Sequence, residues 1–353
     1  MKMIKPSFTL NPIPEATDRD GVLMYLERIG RVCYKSEDKI TTGSALKFLE
    51  NIRNRKHWAM LEHYIFTVSV PEWMYNALIQ YENEILEDPN YIMKKKFITR
   101  TCWKAAPSLK YKYLISFSAT SLNYLIACES MVNANHDAVS KLFKFMQTRY
   151  PELMMDPNPL IERYEDDRIQ FLSREEIKNL PMWLRKIHDF MSVTFVVDRG
   201  VTHEIVRHRP FSYAQESTRY CNYSNGKFDN EITVIIPSFF DTGMGENSNS
   251  LTFTEWKHSC ESSEHHYMKL LEMGATPQQA RSVLPNSLKA EIVMTGSLYN
   301  FTHFFNMRCD TAAHPQMREV ACPLLIEANI INDQYKGTFD EQMHWVENYD
   351  KGE

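Results

Sequence analysis

The stretch from Arg207 to Tyr220 constrains this chain more than any other part of its sequence. Its fourteen residues include three arginines, one histidine, two serines and two tyrosines, in a chain whose formal net charge is -5. Arginine forks match phosphate and planar carbonyl edges in two-point contacts, and serine hydroxyls with nearby backbone N–H groups complete a cradle for an anion. Aromatic rings offer faces to a planar molecule. The stretch therefore predicts a binding site for a flat, phosphorylated ligand.

The composition indicates a soluble, cytoplasmic protein. Of the 353 residues, 43% are hydrophobic and 24% are charged, which is typical of a globular protein. No apolar run of about 18 residues occurs and no apolar segment follows Met1 to Pro6, so we expect neither a membrane span nor a secretory signal. The seven cysteines are scattered without a CxxC pair, which indicates reduced thiols. The acidic balance disfavours bulk binding of nucleic acid.

Periodicity and turn signals predict a chain that mixes helices with strands. The strands are expected at 64–70, 113–117, 193–197, 232–237 and 290–295. The helices are expected at 17–32, from Ser44, from Pro71, and at 122–131, 133–150, 201–208, 253–273, 297–308 and 312–333. Thr276, Pro277 and Gln279 have the pattern of a capping box, which opens a helix that presents Arg281. Loops are expected at 57–63, 156–159 and 243–250, and the stretch after His208 is expected to be irregular.

Several common sites are disfavoured by residue spacing. His203 and His208 are five residues apart, whereas a zinc-protease helix needs two histidines four apart, and Arg207 stands where the second ligand should be. We therefore predict no metal site. No GxGxxG follows a strand and no GxxxxGK[ST] is present, so a Rossmann or P-loop nucleotide site is not expected.

A set of motifs resembles those of the flavin-dependent thymidylate synthases. In chain order they are RVCY at 31–34, HWAMLEH at 57–63, DRGVTHEIV at 198–206, RHR at 207–209 with Ser217 after seven intervening residues, ARSVLP at 280–285 and TGSLYNFTHFFNMR at 295–308. The first two matches are weaker than the others. The motifs occur in the family's order, and they leave the segment from Glu72 to Ile187 uncovered.

The resemblance implies an α/β (α+β) fold in which helices flank a mixed β-sheet, within a single domain that spans residues 1–353. The mostly helical segment 72–187 looks like an insertion beside compact relatives of that family. The implied reaction is the reductive methylation of dUMP to dTMP. In it, 5,10-methylenetetrahydrofolate would donate the carbon and leave as tetrahydrofolate, and FAD reduced by NADPH would supply the hydride. The implied assembly is a homotetramer whose active sites form between subunits.

The resemblance also implies roles for individual residues. Arg308 is the expected catalytic residue, because its permanently charged guanidinium beside the uracil can stabilise negative charge on the ring. The residues expected to contact the flavin are Ala59, Arg207, His208, Arg209, Gln215, Ser297, Tyr299 and His303. The residues expected to contact dUMP are Glu204, Arg207, Gln215, Glu216, Ser217, Thr218, Arg219, Arg281 and Arg308. The sequence departs from common family patterns at Ala59, Ala214, Ser297 and Tyr299.

Three alternatives remain open. A thymidylate synthase that attacks uracil with a cysteine needs an activated thiolate, whereas Cys322 falls in a helix-like stretch that indicates core packing. An RNA-binding module could use the arginine and tyrosine loop, but it predicts a basic surface stripe that the acidic balance disfavours. A catalytically silent relative would bind flavin or nucleotide without the reaction, and the presence of Arg308, Arg281 and Ser217 disfavours it.

Overall fold

Helices and short strands alternate along the chain, of which the computed structural model describes residues 1–87, 99–102, 112–128, 137–155, 165–240, 251–328, 337–339 and 345–347. The strands are β1 (Lys2–Ile4), β2 (Ser7–Leu10), β3 (Ile65–Ser69), β4 (Thr99–Cys102), β5 (Tyr113–Ser118), β6 (Gln170–Phe171), β7 (Phe190–Asp198), β8 (Ser212–Gln215), β9 (Thr233–Ile235), β10 (Lys289–Ser297), β11 (Gly337–Phe339) and β12 (Trp345–Glu347). The α-helices are α1 (Arg19–Val32), α2 (Ser44–Asn54), α3 (Glu72–Glu87), α4 (Ala119–Ala127), α5 (Asp137–Arg149), α6 (Arg174–Lys178), α7 (Met182–His188), α8 (Arg199–Ile205), α9 (Leu251–Glu272), α10 (Pro277–Ala280), α11 (Leu298–Arg308) and α12 (Pro315–Glu327). Short 3₁₀ helices lie at Glu37–Lys39, Trp58–His63, Pro151–Leu153, Gly226–Phe228, Ser238–Phe240 and Arg281–Val283.

The predicted mixture of helices and strands is confirmed, and most predicted elements form close to their expected ends. The capping box also forms, because Thr276 and Gln279 exchange the expected backbone and side-chain hydrogen bonds at the start of α10. The segment 57–63 was wrongly expected to be a loop, since most of it forms a 3₁₀ helix. The expected loops at 156–159 and 243–250 lie outside the described residues.

The chain divides into two compact units. Unit 1 comprises residues 1–11, 31–36 and 192–353, and unit 2 comprises residues 12–30 and 37–191. The segment predicted as an insertion falls wholly in unit 2, and its status as an insertion stays a prediction.

Unit 1 is built on a four-stranded sheet with the strand order β2-β7-β10-β8. β2 pairs with β7 and β8 pairs with β10, both antiparallel, while β1 and β9 form a separate parallel pair. β8 corrects the expectation that the stretch after His208 is irregular throughout. Residues Ser212 to Gln215 pair with Thr295 to Ile292, so a short strand anchors the middle of the predicted binding stretch to the sheet.

One face of α11 forms the core beneath this sheet. Phe301, Phe304 and Phe305 are fully buried, at the i, i+3 and i+4 spacing of one helix face. The ring of Phe304 lies 6.3 Å from that of Phe195 on β7, and the ring of Phe301 lies 4.8 Å from that of Phe211. Burial of each phenylalanine contributes about 1.5–3 kcal/mol, which fixes the opposite face of α11 toward solvent.

Unit 2 contains a second, antiparallel sheet with the strand order β4-β5-β3-β6. Its core is aromatic: the ring of Phe66 lies 4.9 Å from that of Tyr150 and 5.6 Å from that of Phe171. A buried polar chain crosses the sheet, in which the Ser116 hydroxyl lies 2.8 Å from the Thr67 hydroxyl and 2.8 Å from Nδ1 of His188. The segment 72–187 therefore contributes β4, β5 and β6 as well as its predicted helices.

Within the described ranges, no helix combines the length and the apolar character that crossing a membrane requires.

Candidate active site

Arg308 ends α11, and three contacts in unit 1 fix its guanidinium group. Nε donates to Nε2 of His208 at 2.9 Å, and Nη1 donates to Oε2 of Glu204 at 2.6 Å. Nη2 donates to the backbone carbonyl of Glu204 at 3.2 Å. The side chains of Arg308 and Glu204 are 15% and 27% exposed, so the pair is partly screened from water. The structure thus brings the predicted catalytic arginine against two residues that were predicted to bind ligands.

His208 is held in its neutral form. Burial, followed by the nearby charges of Arg308 and His303, lowers the pKa of His208 from 6.5 to about 4. Because Nε2 accepts the hydrogen bond from Arg308, the proton of the neutral ring lies on Nδ1. The ring packs against Phe304 with its centroid at 5.1 Å. His208 therefore serves Arg308 as a neutral acceptor and adds no charge to the site.

The binding stretch is tied back onto the end of α8. The hydroxyl of Tyr213 shares its one proton between the carbonyls of Ile205 and His208, each at 2.7 Å. Gly296 allows Phe211 to pack closely on β10, because a Cβ at Gly296 would lie 2.4 Å from the Phe211 ring. These contacts hold the chain around His208 in one conformation.

A second polar cluster joins the binding stretch to the motif at 280–285. Arg281 donates from Nη1 to the hydroxyl of Thr218 at 3.3 Å, and Arg219 donates from Nε to Oε1 of Gln278 at 3.2 Å. The backbone N–H of Arg219 also donates to the hydroxyl of Ser217 at 3.3 Å. Arg281 opens the 3₁₀ helix that follows α10, one residue past the helix on which it was predicted. Two guanidinium groups and two hydroxyls thus gather in one cluster whose donors suit an anion, and we refer to Ser217, Thr218, Arg219 and Arg281 as the anion-binding cluster.

Two further arginines are exposed beside the site. Among the described residues, the guanidinium groups of Arg207 and Arg209 form no ion pair, so their charges are available to a ligand. Tyr299 and His303 are exposed on one face of α11, opposite its buried phenylalanines. His303 lies beside His208, with ring centroids 5.9 Å apart. This exposed set combines cations with flat rings, which suits a large planar anion such as a flavin nucleotide.

Several residues predicted to contact ligands have other contacts in the structure. Ala59 belongs to unit 2, whereas the rest of the predicted set belongs to unit 1. The side chain of Gln215 donates to the hydroxyl of Thr202 at 3.0 Å. Ser297 caps α11 by accepting from the backbone N–H of Asn300. Glu216 is 2% exposed and its carboxylate has partners within the protein, so its predicted contact with dUMP stays a prediction.

Sequence reasoning missed the residues that surround Glu216. Lys289 donates to Oε2 of Glu216 at 2.8 Å, and Tyr223 donates to Oε1 at 3.2 Å. Lys289 and Glu291 are two apart on β10, so they share one face of the strand. Opposite charges two residues apart on a strand could have indicated that Lys289 and Glu291 interact. That Lys289 also pairs with Glu216 could not be deduced from this spacing.

Comparison with known proteins identifies the relatives of this chain. A family model described as "Thymidylate synthase complementing protein" matches residues 133–329. A flavin-dependent thymidylate synthase of Thermococcus kodakarensis is 31% identical over 179 residues, which cover 48% of this chain and 70% of that protein. The enzyme of the same name from Pyrococcus abyssi is 28% identical over 174 residues, covering 47% and 68%. That from Pyrococcus horikoshii is 35% identical over 144 residues, covering 40% and 56%.

Among solved structures, a UMP/dUMP methylase PolB from Streptomyces cacaoi bound with 5-Br UMP is 17% identical, with a TM-score of 0.33 over 39% of this chain and 68% of that one. The family match begins at residue 133, inside the segment predicted as an insertion, and includes every candidate residue of unit 1. Ala59 lies outside the matched range.

Proposed function

We propose, because the chain belongs to the thymidylate synthase complementing protein family, that it is a flavin-dependent thymidylate synthase that converts dUMP to dTMP. The observation that carries the proposal is the fixed guanidinium of Arg308. Reductive methylation requires C5 of the uracil to act as a nucleophile, so negative charge develops on the ring. A preorganised cation beside that ring stabilises this charge without having to reorient during the reaction.

The contacts of Arg308 support this role. Arginine remains charged at any working pH, and a guanidinium carries more N–H donors than its three protein contacts use. The remaining N–H groups can point at a uracil carbonyl. Glu204 and neutral His208 hold the group in position, and Glu204 also balances its charge before substrate binds.

The anion-binding cluster supports a nucleotide monophosphate as substrate. Arg219 and Arg281 would bind the phosphate of dUMP, and the hydroxyl of Ser217 would donate a further hydrogen bond to it. β8 joins this cluster to the residues around Arg308. A nucleotide lying along β8 would therefore place its phosphate at one end and its base toward the catalytic arginine.

The exposed arginines Arg207 and Arg209, with His303 and Tyr299, would hold FAD beside the nucleotide. When bound and reduced by NADPH, FAD would supply the hydride, while 5,10-methylenetetrahydrofolate would supply the carbon. The residues of this chain would orient the flat rings and keep them within reach of one another.

We further propose a homotetramer with active sites between subunits, which light scattering of the purified protein would test.

The test is dTMP formation from dUMP and methylenetetrahydrofolate, with FAD and NADPH each left out in turn. We expect product only when both are present. Arg308→Ala should lower the rate by about 10²–10³-fold, the usual cost of removing such a group. Arg168→Ala is the matched control, since Arg168 is 59% exposed and pairs with Asp166 in unit 2, and it should leave the rate unchanged.

Product without flavin or NADPH would mean that folate is the reductant, and the proposed mechanism would be wrong. Binding of flavin and dUMP without any product would identify a catalytically silent relative. An Arg308→Ala enzyme as active as the wild type would remove the role assigned to Arg308.

A further inference from the structure

Glu216 is a buried carboxylate whose two oxygens both have partners within the protein. Oε1 accepts from the hydroxyl of Tyr223 at 3.2 Å, and Oε2 accepts from Nζ of Lys289 at 2.8 Å and from the backbone N–H of Glu291 at 3.3 Å. Burial, followed by the charge of Glu216, raises the pKa of Tyr223, so that its hydroxyl remains a donor. Glu216 directly precedes the anion-binding residues Ser217 to Arg219.

Lys289 extends this contact into a chain of alternating charges. It also donates to Oε1 of Glu291 at 2.7 Å, and Oε2 of Glu291 pairs with Nζ of Lys35 at 2.9 Å. Burial acts to raise the pKa of Glu291, but the charges of Lys289 and Lys35 outweigh it and lower that pKa. The four side chains are between 2% and 21% exposed, so water screens them little. We name Glu216, Lys289, Glu291 and Lys35 the charge ladder.

Lys35, the last member of the charge ladder, belongs to the segment 31–36. This segment also contacts the loop 216–220, which contains Ser217 and Arg219. The backbone carbonyl of Cys33 accepts from the N–H of Ser217 at 3.1 Å, and the ring of Tyr34 lies 5.4 Å from that of Tyr220. Lys35 has a positive φ of 45°, which turns the chain directly after these two contacts. The loop is therefore held by the charge ladder at Glu216 and by the segment 31–36 at Ser217 and Tyr220.

We propose that the charge ladder is a positioning device that fixes Ser217 and Arg219 for the phosphate of dUMP, and that Glu216 and Lys289 are positioning residues rather than ligand contacts. The proposal rests on the proposed function, because it assumes that dUMP binds to this loop. The four side chains pair with one another within the protein, so none of them needs to touch the nucleotide. Their role is to hold its backbone and hydroxyls in the geometry that an anion requires.

If the charge ladder only positions the loop, its loss should weaken the binding of dUMP and leave kcat nearly unchanged. Removal of Lys289 leaves the buried charge of Glu216 without its cation, and the loop must move to bring that carboxylate to water. Loss of one hydrogen bond to the charged phosphate weakens binding by about 10- to 100-fold. Arg308 and its partners lie at the other end of β8, so saturating dUMP should restore turnover to within about threefold of the wild type.

The experiment measures the Kd of dUMP by calorimetry on the flavin-loaded protein, together with KM and kcat for dTMP formation. Lys289→Met should raise Kd and KM by about 10- to 100-fold with little change in kcat. Lys289→Arg should restore much of the affinity, because a guanidinium can bridge both carboxylates. Lys269→Met is the matched control: Lys269 forms an exposed pair with Glu272 on α9, and its loss should leave Kd unchanged.

The outcomes separate this proposal from the proposed function. A wild-type protein that fails to bind dUMP would overturn the proposed function, and the charge ladder's role with it. A wild-type protein that binds dUMP while Lys289→Met binds it equally well would overturn the charge ladder's role alone. Where Lys289→Met fails to fold, Glu291→Gln decides, because it removes the link to Lys35 while leaving Lys289 on Glu216. An unchanged Kd in a folded Glu291→Gln protein would likewise overturn the proposal.

Discussion

Acidification should destabilise the protein through two buried histidines, His208 in the candidate active site and His188 in unit 2. Burial is the main cause that lowers the pKa of each from 6.5 to about 4, and the charges of Arg308 and His303 add to it at His208. Each folded pKa lies below the unfolded value, so the unfolded chain binds the proton more tightly than the folded protein does. The stability is therefore complete above pH 6.5 and falls as the pH drops from 6.5 toward 4. The free energy of unfolding should decrease by about 2 kcal/mol per histidine at pH 5 and by about 3 kcal/mol at pH 4.

The two histidines should differ in what their protonation does to the site. A proton on Nε2 of His208 would place a donor and a positive charge against Nε of Arg308, 2.9 Å away, and would release the guanidinium from one of its holds. Protonation of His188 would instead break its contact with the hydroxyl of Ser116 in unit 2. Protonation of either histidine should therefore lower the stability by a similar amount. Only protonation of His208 should displace the guanidinium of Arg308.

The assay is urea unfolding at pH 7.5 and pH 5.0 at constant ionic strength, for the wild type and for His208→Gln, His188→Gln and the exposed control His265→Gln. Glutamine is neutral at both pH values and keeps an acceptor. Between pH 7.5 and pH 5.0, the free energy of unfolding should fall by about 2 kcal/mol less in His208→Gln and in His188→Gln than in the wild type. The control His265→Gln should show the same decrease as the wild type. At pH 7.5 only His208→Gln should lower kcat. A His208→Gln protein with the wild-type pH dependence would refute the reasoning.

Two further substitutions test packing against chemistry. Gly296→Ala should cost about 1–3 kcal/mol in thermal unfolding, since its Cβ would meet the Phe211 ring at 2.4 Å, whereas Gly226→Ala has no atom within 4 Å and should be close to neutral. Cys322→Ala should lower the free energy of unfolding by about 1–2 kcal/mol, because Cys322 is fully buried. It should leave kcat unchanged, because no nucleotide can reach this buried thiol, even though a hydrogen bond from Cys309 lowers the pKa of Cys322. A Cys322→Ala protein that folds but makes no dTMP would favour the cysteine-dependent mechanism.

Local features of the fold could be predicted from the sequence because local chemistry determines them. The capping box at Thr276 and Gln279 needs only residues three apart, and it forms as expected. The apolar stripe of α1 is also local, and Val22, Leu23 and Leu26 are buried. The segment 57–63 was misjudged because a 3₁₀ helix leaves little periodicity to detect.

Contacts between distant residues could not be predicted in the same way. β8 exists because the chain pairs with β10, and its four residues lack the alternation that marks an isolated strand. The pairing of Glu216 with Lys289 joins residues 73 apart, and no motif marks Lys289. The resemblance implies that Glu216 contacts the ligand, and this stays a prediction; that its carboxylate is buried could not be deduced from the motif.

The contact between Glu204 and Arg308 follows from a strand–cap–helix arrangement that two described segments of unit 1 share. β7 leads into α8 through Asp198, and β10 leads into α11 through Ser297, and each cap accepts a hydrogen bond from the backbone N–H three residues later. Because β7 and β10 are neighbours in the sheet, both helices start from fixed points. A helix turns about 100° per residue, so a cap displaced by one residue would point Glu204 or Arg308 away from the other. Ser297 therefore influences the direction of Arg308 through the rotation of α11 about its axis, whether or not the Ser297 hydroxyl meets a ligand.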